Sequence, residues 1–346
     1  MLEIPGDYLE GGGQILRTSI ALSAVTGKPT RITNIRAKRK NPGLRVQHLE
    51  GIKAVAKLCN AELVGARIGS TQIEFKPSKI EGKTVSIFLS TAGSIGLIFQ
   101  SIAIPASFAK NPVHIDIKGG SIASLWSPPV PYLQNVLLPV LEKIGYKADM
   151  VIKKYGFYPK GGSHVVFTIY PWKDKKPLEL LEQGVLKSIR GLSLASEKLR
   201  KAKVAERQAN KAEELLKESF GIEPDIKKFY VDSESPGSVL IIWLETNKTI
   251  IGSDVIGEPG LKSEIIAEKA VKKLVKDYES GACVDSHLSD QVLPFMALTS
   301  GKSIITVPEL TGHVKTNMWV IEKFLPVKFE TKRSGKYFVI ECTGHL

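Results

Sequence analysis

Cysteine is scarce in this chain and poorly placed for chemistry. Cys59, Cys283 and Cys342 are odd in number and far apart, with no CxxC spacing and no histidine at metal-ligand intervals, which argues against disulfides and structural zinc. No apolar run approaches the ~18 residues of a membrane span. The opening Met1-Leu-Glu-Ile-Pro-Gly-Asp7 has neither the basic region nor the apolar core of an export signal, so a cytoplasmic protein without a membrane partner is expected. The familiar nucleotide fingerprints are missing too. No GxGxxG follows a strand, and the one Gly-Lys-Ser, Gly301 to Ser303, has Met296 where a Walker A loop needs glycine. No lysine stands in the Lys-x-Asp-Gly setting of nucleic-acid ligases. Finally, no acidic residue occurs from Gly11 to Leu49, although Arg17, Lys28, Arg31, Arg36, Lys38, Arg39, Lys40 and Arg45 all fall there. Solvated surfaces normally mix signs, so a one-signed stretch of this length points to a phosphate-facing cleft.

The chain has 346 residues, 43% apolar and 24% charged, the profile of a soluble globular protein of two domains or of one large domain with an insert. Its 48 Lys+Arg against 35 Asp+Glu give a net charge of +13, which favours polyanionic partners. Hydrophobic periodicity predicts a helix from Ile15 to Val25, a strand from Pro29 to Ile35, a basic turn from Arg36 to Gly43, a helix from Leu44 to Cys59 and two short strands to Phe75. The pattern recurs twice, from Ser90 to Tyr170 and from Leu288 to Cys342. We therefore expect an α/β (α+β) fold. Three repeated ββα-type units of two helices and about four strands, near 1–77, 84–171 and 288–344, form a large catalytic domain (1–183 and 281–346). The stretch 184–280 reads as a smaller inserted α/β domain, with a charged helix from Ser196 to Ser219 and an amphipathic one from Ser263 to Tyr278, and no chemistry is assigned to it.

The polar turn Gly312-His313-Val314-Lys315-Thr316-Asn317 leads into an apolar helix from Met318 to Leu325, with Thr316 or Asn317 as its N-cap. A histidine just ahead of a helix sits where unpaired N–H groups attract anions. Sliding the first repeat along the third so that Val55 meets Val320 sets His48 on His313. Polar residues at helix heads and loops add Glu10, Gln14, Arg17, Arg36, Arg39, Arg45, Gln47, Gln100 and Asp290. Glu10 reads either as a ligand for a divalent cation beside a polyphosphate or as an acid at a helix N-terminus. Asp290 has the same two readings, and His48 is either a site residue or a satisfied core histidine. Clustered arginines suit phosphate. If the protein activates phosphates with a nucleotide, histidine is the available nucleophile, and attack on the α-phosphate would give a phosphoramidate.

The motifs Glu10-Gly-Gly-Gly-Gln14-Ile-Leu-Arg17, Ile35-Arg36-Ala-Lys-Arg39, Pro42-Gly43-Leu44, Gln47-His48, Ser127-Pro128-Pro129, Gly156-Phe-Tyr-Pro-Lys-Gly-Gly162, Ser289-Asp290-Gln291 and Gly312-His313-Val-Lys-Thr-Asn317 together resemble the RNA 3'-terminal phosphate cyclase family along nearly the whole chain. The resemblance implies an ATP-dependent ligase that turns an RNA 3'-phosphate into a 2',3'-cyclic phosphate, with His313 taking AMP. It further implies Glu10 as ligand of a divalent metal (Mg or Mn), and Arg17, Arg36, Arg39, Gln47 and His48 on the RNA phosphate or triphosphate. Pro128 or Pro129 would pack on adenine, with Gln100, His287, Asp290 and Gln291 lining the ATP site. His287 stands where bacterial members place a stacking tyrosine, and Ser163 where a third glycine would follow Gly162. A non-catalytic branch acting in ribosome assembly and the similarly folded enolpyruvyl transferases supply the competing readings. The former has no need of His313, and the latter need catalytic acids that the basic stretch does not offer.

Overall fold

A computed structural model describes residues 1–345. The first unit runs β1 (Leu2–Pro5), α1 (Gly13–Thr26), β2 (Thr30–Thr33), α2 (Val46–Leu58), β3 (Glu62–Val64) and β4 (Ile73–Lys76), and its sheet has the order β1-β2-β4-β3. β1 and β2 are parallel and the other pairs antiparallel. The second unit repeats this with β5 (Val85–Ser94), α3 (Ile95–Ser107), β6 (Val113–Ser121), a helical rod, β7 (Ala148–Lys154) and β8 (His164–Ile169), in the order β5-β6-β8-β7. The rod consists of α4 (Val130–Tyr132), a π turn (Leu133–Leu137) and α5 (Leu138–Glu142). The π turn precedes Pro139, which lacks the N–H that a regular ladder would use.

The third sheet takes its first strand, β9 (Glu179–Leu180), from far upstream of its other members. Between them lie β10 (Leu186–Ser196), α6 (Val204–Phe220), β11 (Asp225–Val231), β12 (Ser238–Thr246), β13 (Ile250–Ile256) and α7 (Ser263–Glu279), forming a sheet β11-β10-β12-β13. Then come α8 (Leu288–Met296), β14 (Ser300–Val307), α9 (Gly312–Phe324), β15 (Phe329–Ser334) and β16 (Tyr337–His345). The resulting order β15-β16-β14-β9 matches the other two units read from the opposite edge. The expected threefold α/β repeat is therefore present, with the third copy interrupted after its first strand. The sequence reading missed β1, β5, β9 and β13. It also fused Glu197–Ala202, a 3-10 turn, with α6, whereas Lys203 in the left-handed region separates them.

α1 is buried on nearly every side and packs against α2, α3 and α9, so it is the buried axis of the three units. Gly27, at φ 69°, ends it in the left-handed cap that glycine takes without cost from a Cβ. β12 is buried on both faces. Val239, Ile241 and Trp243 join the large core, while Leu240, Ile242 and Leu244 join a second core beneath α6 and α7. The period-two alternation of one strand thus welds the interrupting segment to the repeats. The three cysteines are free and buried. Among the described residues no helix is long and apolar enough to cross a membrane.

Candidate active site

The first turns of α1, α8 and α9 converge. Gln14 lies at the second position of α1, Asp290 in the first turn of α8 and His313 at the second position of α9. Gln14 Nε2 donates to Asp290 Oδ2 at 2.5 Å, and Gln14 Oε1 lies 3.0 Å from His313 Nδ1. Asn317 ties the same helices from beneath: it accepts from Thr18 Oγ1 at 2.7 Å and donates to the carbonyl of Asp290 at 2.7 Å. The starts of α1 and α9 bring free N–H groups and partial positive charge to this space, whereas the N–H groups of His287, Leu288 and Ser289 at the start of α8 are taken by Asp285.

The start of α9 differs from the sequence reading. The helix begins at Gly312, six residues earlier than expected, and Thr311 caps it by accepting from Val314 N at 3.1 Å. Thr316 and Asn317 are buried inside the helix and do not cap it. With the caps superposed, Arg45 on Thr311, Val314 takes the place of His48, so the two histidines are not equivalent. His48 is buried and accepts from Arg45 N at 3.3 Å. Burial, reinforced by Arg17, Arg36 and Arg45, drives its pKa down to about 3, so it stays neutral against Gly13, where an added Cβ would meet its Nε2 at 2.5 Å. The His313 side chain is 48% exposed. Its pKa is lowered by desolvation, an effect opposed by Glu10 and supported by Arg17, Arg39 and His287. A neutral imidazole that gives its Nδ1 proton to Gln14 Oε1 keeps the Nε2 lone pair free.

Nε2 faces Glu10 Oε1 at 3.9 Å, and the same oxygen accepts from Arg39 at 2.8 Å. Glu10 Oε2 is directed over Gly312, where an added Cβ would lie 2.8 Å from it. Among the described residues no group of three or more His, Cys, Asp or Glu could hold a metal. One carboxylate with an unshared oxygen suits a cation whose other ligands are phosphate oxygens and water. Arg17 donates to Gln100 Oε1 at 3.1 Å, Gln100 donates to Gln291 Oε1 at 3.1 Å, and Gln291 donates to the carbonyl of His287 at 2.8 Å. Burial lowers Arg17 to about 10, leaving it charged at neutral pH. Arg36, at φ 54°, folds back to donate to the carbonyls of Asn41 and Gly43 at 2.8 Å each. Its pKa is lowered by burial and by the neighbouring Arg45 and Arg39.

A cleft of about 360 Å³ opens in front of these groups, lined by Arg17, Gln100, Pro128, His287, Asp290 and His313. That volume is within the range of small-molecule sites. Pro129 stands behind Pro128 as the N-cap of α4. Gln47 is drawn away, accepting from Ser94 N at 2.8 Å where the first unit meets the second. The basic stretch also divides: Lys28 donates to the Phe324 carbonyl and Arg31 pairs with Glu3 and Glu74, both as structural ties. Sequence reasoning gave no role to Asp285 or to the interrupting segment. Asp285 accepts from Tyr132 Oη at 2.8 Å and from His287 N and Leu288 N at 2.9 Å, setting the start of α8. An acid three residues ahead of an apolar run was its legible signal. Asp254 and Ile256 of β13 and Glu258 after it form a wall of the cleft.

Asp290 is pushed up to about 7 by burial, against partial relief from Arg17, its own backbone and Gln14, while Asp285 adds to the rise. A carboxyl whose folded pKa exceeds its unfolded value near 4 contributes stability that is full below that value and is lost as pH rises through about 7. Asp290→Asn removes this loss. The Tm of the variant minus that of the wild type is expected to grow from pH 5 to pH 8, and a difference independent of pH would refute the buried carboxyl.

The family model described as RNA 3'-terminal phosphate cyclase matches residues 8–331. The chain is 42% identical over 348 residues to a protein of Methanopyrus kandleri, covering 99% of this chain and 98% of that one. It is 45% identical over 331 residues to one of Thermococcus kodakarensis (96% and 94%) and 44% identical over 344 residues to one of Pyrococcus abyssi (98% and 99%). All three bear the name RNA 3'-terminal phosphate cyclase.

Proposed function

Because this chain belongs to the RNA 3'-terminal phosphate cyclase family, a family of enzymes, we propose that it converts an RNA 3'-phosphate end to a 2',3'-cyclic phosphodiester at the expense of ATP, with His313 as the nucleophile. The observation that carries the reading is the chain Asp290–Gln14–His313, which holds the imidazole of a cleft-lining histidine by Nδ1 and leaves Nε2 without a hydrogen-bond partner among the described residues. Nε2 attacks the α-phosphorus of ATP, an N–P bond forms, and the bond to diphosphate breaks. The substituted ring is a cation that keeps its Nδ1–H, and the Gln14 carbonyl, backed by Asp290, stabilises it. An oxygen of the RNA 3'-phosphate then displaces the imidazole, giving an RNA-3'-pp-5'-A end. The 2'-hydroxyl closes on the 3'-phosphorus as the bond from that phosphorus to AMP breaks, and its proton passes to the departing AMP phosphate.

Arg17 and Arg39 neutralise charge on the phosphoryl oxygens. In this reading Pro128 and His287 pack on the adenine base, and Gln100, Asp290 and Gln291, which line the same cleft, contact the nucleotide. Glu10 is the residue that would hold Mg or Mn, a cation that would balance phosphate charge when bound. A binding factor would need the arginines but not an oriented nucleophile, so the Asp290–Gln14–His313 chain favours the enzyme.

The direct test is incubation with α-labelled ATP and a divalent cation. The protein is expected to carry label that an RNA 3'-phosphate strand chases off, and a protein that acquires none overturns the reading. Arg39→Ala should weaken cyclisation about 10- to 100-fold while self-labelling changes less. Equal loss of both would assign Arg39 to ATP.

A further inference from the structure

Outside the groups already given a role, Trp126 is the side chain that the free protein explains least. It is 95% exposed, and its backbone, at φ 60°, occupies the left-handed region that bulky residues rarely hold. The segment carrying it is firmly tied. Ser124 Oγ donates to the Ala92 carbonyl at 3.3 Å, Ser127 Oγ to the Ser124 carbonyl at 2.8 Å, and Val130 N to the Ile122 carbonyl at 2.8 Å. A fixed loop that presents an indole to water is built to meet something.

The neighbouring loop is the Gly156–Gly162 motif, to which the chemistry above gives no part. Ala123 pairs with Phe157, and Ile122 N donates to the Gly156 carbonyl at 3.1 Å, so the two loops run side by side. This second loop presents Tyr158, 74% exposed, and the exposed Lys160. It is fixed in turn: Lys160 N donates to Ser235 Oγ at 3.1 Å, and Gly237 packs so closely on Phe157 that no side chain fits there. The acid beside it, Glu234, is paired with Lys154 at 3.5 Å. Trp126 lines the cleft that holds His313, whereas Tyr158 lies outside the cleft lining. The two aromatics therefore lead from the cleft outward over the surface.

We propose that Trp126 and Tyr158, with Lys160 beside them, form a stacking track for the bases of the single-stranded RNA just upstream of its 3'-phosphate end. This rests on the reading that the cleft accepts such an end. Aromatic faces interleaved with lysine bind single strands with little regard for sequence, because every base has a π-face. The net charge of +13 favours the same partner. A mononucleotide would need only the part of this surface inside the cleft, while the outward run of the two aromatics fits a polymer.

The test compares Trp126→Ala and Tyr158→Ala with the wild type, using a 3'-phosphate strand of about ten nucleotides and a 3'-phosphate dinucleotide. Each variant should raise the KM for the longer strand about 5- to 100-fold at unchanged kcat; Tyr158→Ala should leave the dinucleotide unchanged, whereas Trp126→Ala should weaken it as well, because Trp126 lines the cleft itself. Trp126→Phe and Tyr158→Phe should retain most of the affinity. An unchanged KM for the long strand overturns the track, and so does a raised ATP requirement for labelling, which would mean that the indole stacks on adenine. Polarisation of a labelled strand reads the track without catalysis. If the wild type takes no label from ATP, the nucleophile reading fails by itself, and the track fails only if the alanine variants bind the strand as tightly as the wild type.

Discussion

His313→Ala is expected to take up no label from α-labelled ATP and to lose cyclisation by about a thousand-fold or more. The size of the effect follows from geometry. Of the side chains that line the cleft, His313 combines an unprotonated nitrogen with partners that orient it, namely Gln14 on Nδ1 and the Glu10–Arg39 pair opposite Nε2. His287 lines the same cleft, yet among the described contacts its ring has no hydrogen-bond partner to fix it. Its backbone, by contrast, is held by Asp285 and Gln291. A His313→Ala protein that still acquired label would transfer the role to another residue, and His287→Ala would be the next variant to make. ATP binding itself should survive, because the arginines and the helix N-termini remain. The lowered pKa adds a pH signature. Labelling should hold from neutral pH down past the ordinary histidine value near 6.5 and fail only as the pH drops through the depressed one.

Gln14→Leu has the second largest expected effect, a drop of about a hundred-fold in self-labelling with nearly unchanged affinity for ATP. Leucine fills similar space on α1 but offers Nδ1–H no acceptor, so the imidazole is free to rotate and to present the wrong nitrogen. It also leaves the Asp290 carboxyl without its donor, raising that pKa further and favouring the protonated acid. A purely structural role for Gln14 would lower Tm and leave the rate per folded molecule intact. Comparable labelling rates in folded Gln14→Leu and wild type would remove the relay from the mechanism.

The repeats were legible because each contains helices with buried apolar faces, which hydrophobic periodicity records directly, and Gly27 marks the end of the first of them. The missed strands have physical reasons. β9 is two residues long, β1 is four and ends in Pro5, and β13 carries Gly252 and Ser253 where an apolar alternation would continue. The late placement of the α9 start is more instructive. Residues 312–317 read as a polar turn because the first turn of that helix faces a ligand space as well as the core, and pattern reading equates polar with loop. A helix that begins at a site hides its own beginning. Pairing was the other limit. Gln14 and His313 stand 299 residues apart, and Gln14 and Asp290 276 apart, so a single sequence names the partners without joining them. The acid-free stretch also carried two meanings: Arg17, Arg36, Arg39 and Arg45 gather near the site, while Lys28 and Arg31 brace the sheet and helix behind it.

The interruption of the third unit sets an order of assembly during synthesis. The first two units are complete by Ile169, and β9 follows at once, but its partner β14 begins only at Ser300. The ribosome adds about 120 residues in that interval, on the order of 6 to 24 seconds at about 5–20 residues per second. For most of that time a nascent chain already carries Glu10, the glycine turn and the arginines without Asp290, and throughout it lacks His313. A chain shortened before α9 would carry Glu10 and the arginines without His313, the residue proposed as nucleophile.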